Sequence, residues 1–165
     1  MGKSCCSSSP PEIEEGHPST LTIVCPSCEQ KGRKVGHLTL QAMLAVSLEV
    51  IDETSRYRFC SSADCGVVYF DEQGMIFGEK ALRERVYQKH PECEDSFVCY
   101  CYRHTIGSIR DDLLLDGQTD VVERVTTGTK AGSCACEIRN PQGNCCLGNV
   151  RAVVKRLKAS LMAQY

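Results

Sequence analysis

The sequence has no tryptophan, and aromatic residues make up only 6% of its 165 positions. Large rings dominate core energetics, so any core built here is short of its strongest components. Long apolar runs are missing too. No stretch approaches the roughly 20 apolar residues that a bilayer span requires, which argues against membrane insertion. Charge of one sign is also scarce: 19 basic residues face 21 acidic ones, for a formal net charge of -2. That balance gives no footprint for nucleic acid or for an anionic membrane surface. Met1 to Glu15 carries one lysine and no apolar segment, so a secretory signal is not expected and a cytoplasmic protein is. There are four histidines, and no Ser/His/Asp or Cys/His catalytic set can be singled out. A redox or metal-carrier protein is expected rather than an enzyme.

Cysteine is what the sequence has in excess, with 13 in all. A reducing compartment favours metal ligation over disulfides, and C-x-C and adjacent pairs do not close easy local bridges. Cys25-Pro-Ser-Cys28 pairs across a gap with Cys60 and Cys65. Further on, Cys99-Tyr-Cys101 opens a segment that closes with Cys134-Ala-Cys136 and Cys145-Cys146. Four thiolates complete one tetrahedral zinc site or one iron–sulfur cluster. Two such sets imply two inorganic centres and two small domains, each too short to bury a large core unaided by metal.

The expected organisation is a flexible tail over 1–20, a first metal domain over 21–90 and a second over 97–165, with the boundary in the polar stretch 88–96. In the first domain, strands are expected at Leu21–Val24, Arg56–Phe59, Val67–Phe70 and Met75–Phe77. A helix is expected over 39–51, capped by Thr39, and a shorter one from Leu82 to His90. The second domain reads as loop–helix–helix–loop–helix. Thr105 and Thr119 cap the first two helices, Gly117 and Gly128 stop them, and Val150, Val153, Val154, Leu157 and Leu161 line one face of the third. The basic residues on its other faces read as a solvated surface.

In the first set, C-P-S-C followed by a polar turn is the zinc-knuckle pattern, in which backbone N–H groups point at sulfur. Cys60 and Cys65 supply the other half, and zinc (Zn2+) suits four thiolates with no open position. A thioredoxin-like pair or a copper loop would need a helix directly after Cys28. The residues there, Glu29-Gln-Lys-Gly-Arg-Lys34, show no helical periodicity. His37 is a substitute ligand only if it is not simply a surface histidine. In the second set, C-x-C on an extended loop suits two bonds to one iron, while a second zinc site is the rival. A Rieske centre would need two histidines, and His104 stands alone nearby. Both C-x-C and Cys-Cys are expected to precede helices, whose N-termini favour the negative charge of a thiolate-ligated group. Spacing leaves Cys134 against Cys136, and Cys145 against Cys146, undecided.

Residues 97–157 resemble the [2Fe–2S] domains of the bacterioferritin-associated ferredoxin family. Residues 21–157 more specifically resemble the N-terminal zinc/[2Fe–2S] region of archaeal CopZ-type copper chaperones. The runs that carry this are Cys25-Pro-x-Cys28, Phe59-Cys60-Ser61 through Cys65 to Val67-Val-Tyr-Phe70, Val98-Cys99-Tyr-Cys101 and Asn140-Pro-x-Gly-x-Cys145-Cys146. The resemblance implies an α+β fold, with a small zinc-ribbon-like β/α domain followed by a small helical [2Fe–2S] domain. It implies zinc on Cys25, Cys28, Cys60 and Cys65, and a [2Fe–2S] cluster on Cys99, Cys101, Cys136 and Cys146, leaving Cys134 and Cys145 spare.

It also implies a metallochaperone-type protein in copper handling, whose cluster serves one-electron chemistry such as Cu(II) to Cu(I) reduction. The partners implied are a copper carrier or a P-type copper transporter. The alternatives are a ferredoxin-like electron-transfer protein with a redox partner, and a cluster-based sensor or scaffold. Proteins of this type carry a Met-x-Cys-x-x-Cys copper loop in a further domain. The 165 residues contain none, so direct copper delivery is expected to fall elsewhere. Cys5 and Cys6 are candidates for capture of a soft cation such as Cu(I) (Cu+), against a plain reading as exposed tail thiols.

Overall fold

The fold begins at a tight turn. In a computed structural model, which describes residues 23–163, Val24 bridges Lys31, and the Cys25 amide donates to the Gln30 carbonyl at 2.9 Å. The expected tail and the Cys5–Cys6 pair lie outside the described residues. Of the expected first strand, the described part is this single bridge at Val24. Glu29 closes the turn in the left-handed region, at φ 58.

Four short strands follow: β1 (Arg33–Lys34), β2 (Arg58–Phe59), β3 (Val67–Phe70) and β4 (Ile76–Gly78), in an antiparallel sheet of order β1-β2-β3-β4. The register pairs Lys34 with Arg58, Phe59 with Tyr69 and Phe70 with Ile76. Helix α1 (His37–Met43) covers this sheet. It is much shorter than the expected helix over 39–51. Leu44 turns extended, at ψ 137, and bridges Leu82. The Ala45 amide then donates to the Ala81 carbonyl at 2.8 Å, and the Arg83 amide to the Met43 carbonyl at 2.9 Å. Pairing with the Leu82 segment buries Leu44 completely and satisfies backbone groups that a longer helix would have used internally. A single 3-10 turn, Leu48–Val50, is what remains of the expected second half. Thr39 lies buried inside α1, and Gly36 takes the cap position. The helix expected over 82–90 is absent; two 3-10 turns, Glu79–Ala81 and Tyr87–Lys89, stand around that segment.

The second half opens with a hairpin of β5 (Phe97–Cys99) and β6 (His104–Thr105), with Arg103 left-handed at φ 59. Helix α2 (Ile106–Asp116) starts on a capping box of Thr105 and Ser108 and ends on left-handed Gly117, as expected. Helix α3 (Val121–Lys130) does not stop at Gly128. That glycine serves close approach instead, since a Cβ there would lie 1.8 Å from the Tyr102 hydroxyl. The expected loop holds a short helix, α4 (Cys136–Arg139), and α5 (Leu147–Met162) completes the chain. Ile109, Val121, Val125, Val150 and Val153 interlock at the centre of this half.

Two apolar cores result, and the chain crosses between them at one step: Val86 belongs to the first and Tyr87 packs on the second. The halves are docked. Helix α4 packs on α1, and the buried Tyr69 hydroxyl donates to the Pro141 carbonyl at 2.6 Å. Gly143, left-handed at φ 69, sits so close to Thr39 that a Cβ would approach its hydroxyl to 2.9 Å. Stretch 88–96 is tied down along its length: Lys89 donates to the Ser62 carbonyl and Arg156 to the Pro91 carbonyl, each at 2.7 Å, and the Gly107 amide donates to the Glu94 carbonyl at 2.9 Å. Among the described residues no helix is long and apolar enough to cross a membrane.

Candidate metal centres

Two reverse turns build the first site. One is the Cys25–Cys28 turn and the other is the loop from Cys60 to Cys65, between β2 and β3. All four sulfurs lie within 4.8 Å of one another. Cys25 and Cys65 are 3.8 Å apart, and Cys28 and Cys60 are 3.6 Å apart. Cys25, Cys60 and Cys65 are buried and Cys28 is half-buried, with Ile23, Val67 and Phe70 packed around them. Amides of Ser27 and Cys28 point at Cys25, that of Ser62 at Cys60 and that of Val67 at Cys65. Burial pushes Cys60 up to about 12, against the Ser62 amide. At Cys65 burial is outweighed by the Val67 amide and by Ser27, Cys28 and Cys25, and the thiol falls to about 7. Four crowded thiols cannot all ionise without a cation, and a bound metal displaces the protons they retain. A tetrahedral zinc with bonds of about 2.3 Å sets its sulfurs about 3.8 Å apart, so this donor set fits one closed ion. His37 takes no part: its Nε2 donates to the Asp52 carbonyl at 3.2 Å, and its ring meets Tyr57 edge-on.

The second site is a row rather than a knot. Cys99 ends β5, Cys101 lies in the hairpin turn, Cys136 opens α4, and Cys146 is the N-cap residue of α5. The expectation of a helix behind each motif holds for Cys146. It fails for C-x-C, where the hairpin intervenes before α2. The thiol of Cys146 meets both Cys99 and Cys136, and Cys136 lies 3.7 Å from Cys101. The Ala135 amide donates to Cys101 at 3.3 Å. Amides of Tyr102 and Cys101 face Cys99, and that of Cys146 faces Cys136. Contact with the Cys146 thiol leads in lowering Cys136 to about 6 and Cys99 to about 7. Contacts with Cys136 and then Cys99 drive Cys146 far up. Burial first, then the neighbouring sulfurs, raises Cys101 to about 12.

The mutually close sulfurs here are Cys101, Cys134 and Cys136, while Cys99 and Cys146 extend the row inward and are fully buried. One tetrahedral ion would need four equidistant sulfurs. A row with amides aimed at its sulfurs fits a group with two metal positions, as in a thiolate-held iron–sulfur cluster.

Sequence reasoning missed the surroundings of this row. Thr129, near the end of α3, lies within 3.4 Å of Cys134 and 3.8 Å of Cys145. Tyr102 reaches Ser133 at 2.8 Å. Neither carries a spacing signal, because the fold alone brings α3 to the cysteine loop. Cys93 lies elsewhere, 3.0 Å from the Arg85 guanidinium. All eleven described cysteines are free thiols.

Comparison with known proteins matches residues 22–83 to the zf_CopZ family, a zinc binding domain. The chain is 37% identical over 122 residues to the copper chaperone CopZ of Archaeoglobus fulgidus, a match that takes in 74% of this chain and 57% of that protein. The chain therefore spans little more than half the length of this relative. The crystal structure of the Archaeoglobus fulgidus CopZ N-terminal domain superposes with a TM-score of 0.66 at 32% identity, covering 79% of this chain and 97% of that one. A likeness at 32% identity across nearly all of that domain shows that the chain belongs to the family of the CopZ N-terminal domain.

Proposed function

We propose that the protein is a zinc- and iron–sulfur-containing metallochaperone of cytoplasmic copper handling. Cys25, Cys28, Cys60 and Cys65 hold a structural zinc that ties the Cys25–Cys28 turn to the loop between β2 and β3. Cys99, Cys101, Cys136 and Cys146 hold a [2Fe–2S] cluster. The single observation that carries the second assignment is the amide-lined row of sulfurs, buried at Cys99 and Cys146 and half-exposed at Cys101 and Cys136. A [2Fe–2S] group there would supply one electron at a time, which is what Cu(II) requires to become Cu(I). The residues of this chain do the rest. Val98, Ile106 and Val150 pack against the inner end and keep water from it. The amides of Ala135, Tyr102 and Cys146 hold negative charge on sulfur. The half-exposed end lets an electron leave without the protein opening. The partners are a copper carrier or P-type copper transporter on one side and an electron-donating redox protein on the other.

The test is anaerobic. Protein reduced with dithionite and freed of excess reductant is mixed with one equivalent of Cu(II) in the presence of a Cu(I)-specific chelator. Recovery of the visible absorption with one chelated Cu(I) per chain is expected. Visible absorption that stays bleached, with no Cu(I) formed, would contradict the copper role and leave a plain electron-transfer protein.

A further inference from the structure

We propose that Cys134 and Cys145 form a third metal site, a two-thiolate seat for Cu(I), separate from both four-cysteine sets. It rests on the copper reading above and extends it, naming where within these residues a copper ion is held. The two thiols converge on one atom. Thr129 Oγ1 donates its only proton to the Val125 carbonyl at 2.8 Å, which leaves its lone pairs facing out. Cys134 Sγ lies 3.4 Å from that oxygen and Cys145 Sγ lies 3.8 Å from it. Both sulfurs are therefore gathered at the end of α3, from loop positions 11 residues apart in sequence.

They line a groove of about 570 Å³. Leu38 and Ile138 form an apolar rim, Thr129 and Asn144 contribute neutral polar groups, and no lysine or arginine lines it. Glu137 is its one carboxylate. Hard cations ask for several oxygens in a cage, whereas two thiolates in an apolar, cation-free groove suit a soft monovalent ion of low coordination number. Packing does not account for the pair. Cys145 is exposed and Cys134 half-buried, and neither belongs to the core of the second half. Position is fixed all the same. Cys145 precedes the buried Cys146, and Cys134 lies within 4.8 Å of both Cys101 and Cys136, so an ion held here sits directly beside the sulfur row.

The test is Cu(I) titration under anaerobic conditions in competition with bathocuproine disulfonate, using the full chain with its zinc, iron and sulfide contents measured before and after. The proteins are wild type, C134S, C145S, C134S/C145S and C5S/C6S. One competed Cu(I) per wild-type chain is expected, with binding at least about tenfold weaker in C145S and in the double variant, and unchanged in C5S/C6S. The visible absorption should survive in all five. If C134S/C145S holds Cu(I) as wild type does, the site is overturned while the copper reading stands. If wild type holds none, both fall. Loss of visible absorption in C134S would make Cys134 a cluster ligand and overturn the pair.

Discussion

The two cysteine regions solve the same problem in opposite ways. In the first, four sulfurs from two reverse turns converge until all lie within 4.8 Å, and the apolar residues around them form a small cluster of their own. In the second, sulfurs from three distant segments line up from fully buried Cys99 and Cys146 to half-exposed Cys101 and Cys136, and the surrounding core is built by helices that meet for other reasons. The knot is a small cluster of its own, apart from the larger apolar core of the first half. The row is mounted on a core that already exists. Loss of a ligand should therefore cost the first region its fold and the second region only its function.

Removing one sulfur from the knot tests this contrast most severely. Structural zinc contributes about 10–16 kcal/mol, as much as or more than the roughly 5–15 kcal/mol by which a whole domain is stable. Cys60→Ala should bring zinc content from one per chain to near zero and abolish the near-ultraviolet dichroism of Tyr57, Phe59 and Tyr69. Cys136→Ser, in the row, should remove the visible absorption while zinc content and far-ultraviolet helicity stay at wild-type levels. A comparable collapse in both variants would erase the distinction.

Smaller changes sharpen it. Gly128→Ala drives a methyl group into Tyr102, at 1.8 Å from its hydroxyl, and should destabilise the second half by about 1–3 kcal/mol, read as a lower midpoint in urea with zinc retained. Tyr69→Phe removes the 2.6 Å bond to the Pro141 carbonyl and leaves a buried acceptor unmet, a loss of about 1–3 kcal/mol. Because that bond joins the halves, a single thermal transition should broaden or split in two. Thr105→Ala, which deletes the α2 cap, should cost about 1 kcal/mol and leave both metal contents intact.

Legibility in the sequence follows the same division. The Cys25/Cys28 and Cys60/Cys65 spacings are local, and each pair sits on one turn, so their convergence could be foreseen from the motif. The strands at Val67–Phe70 and Met75–Phe77 and the caps at Thr105 and Gly117 were equally local and equally plain. What escaped was decided by contacts far apart in sequence. Helical periodicity at Leu40, Leu44 and Leu48 reads as one long helix, yet Leu44 leaves it to pair with Leu82. Gly128 reads as a stop signal, yet it is required by a tyrosine 26 residues earlier in the chain. Six cysteines compete for four places in the loop after α3 and the hairpin before α2. The approach of Thr129 to both Cys134 and Cys145 joins segments that no spacing links.

Metal and sulfide content decides whether one region holds a single closed ion and the other a two-metal cluster with sulfide. Anaerobic purification followed by zinc, iron and acid-labile sulfide analysis, with an EPR spectrum after dithionite reduction, addresses it most directly. About one zinc, two irons and two sulfides per chain and an S = 1/2 signal on reduction are expected. Two zincs per chain with no sulfide and no signal would contradict the cluster assignment.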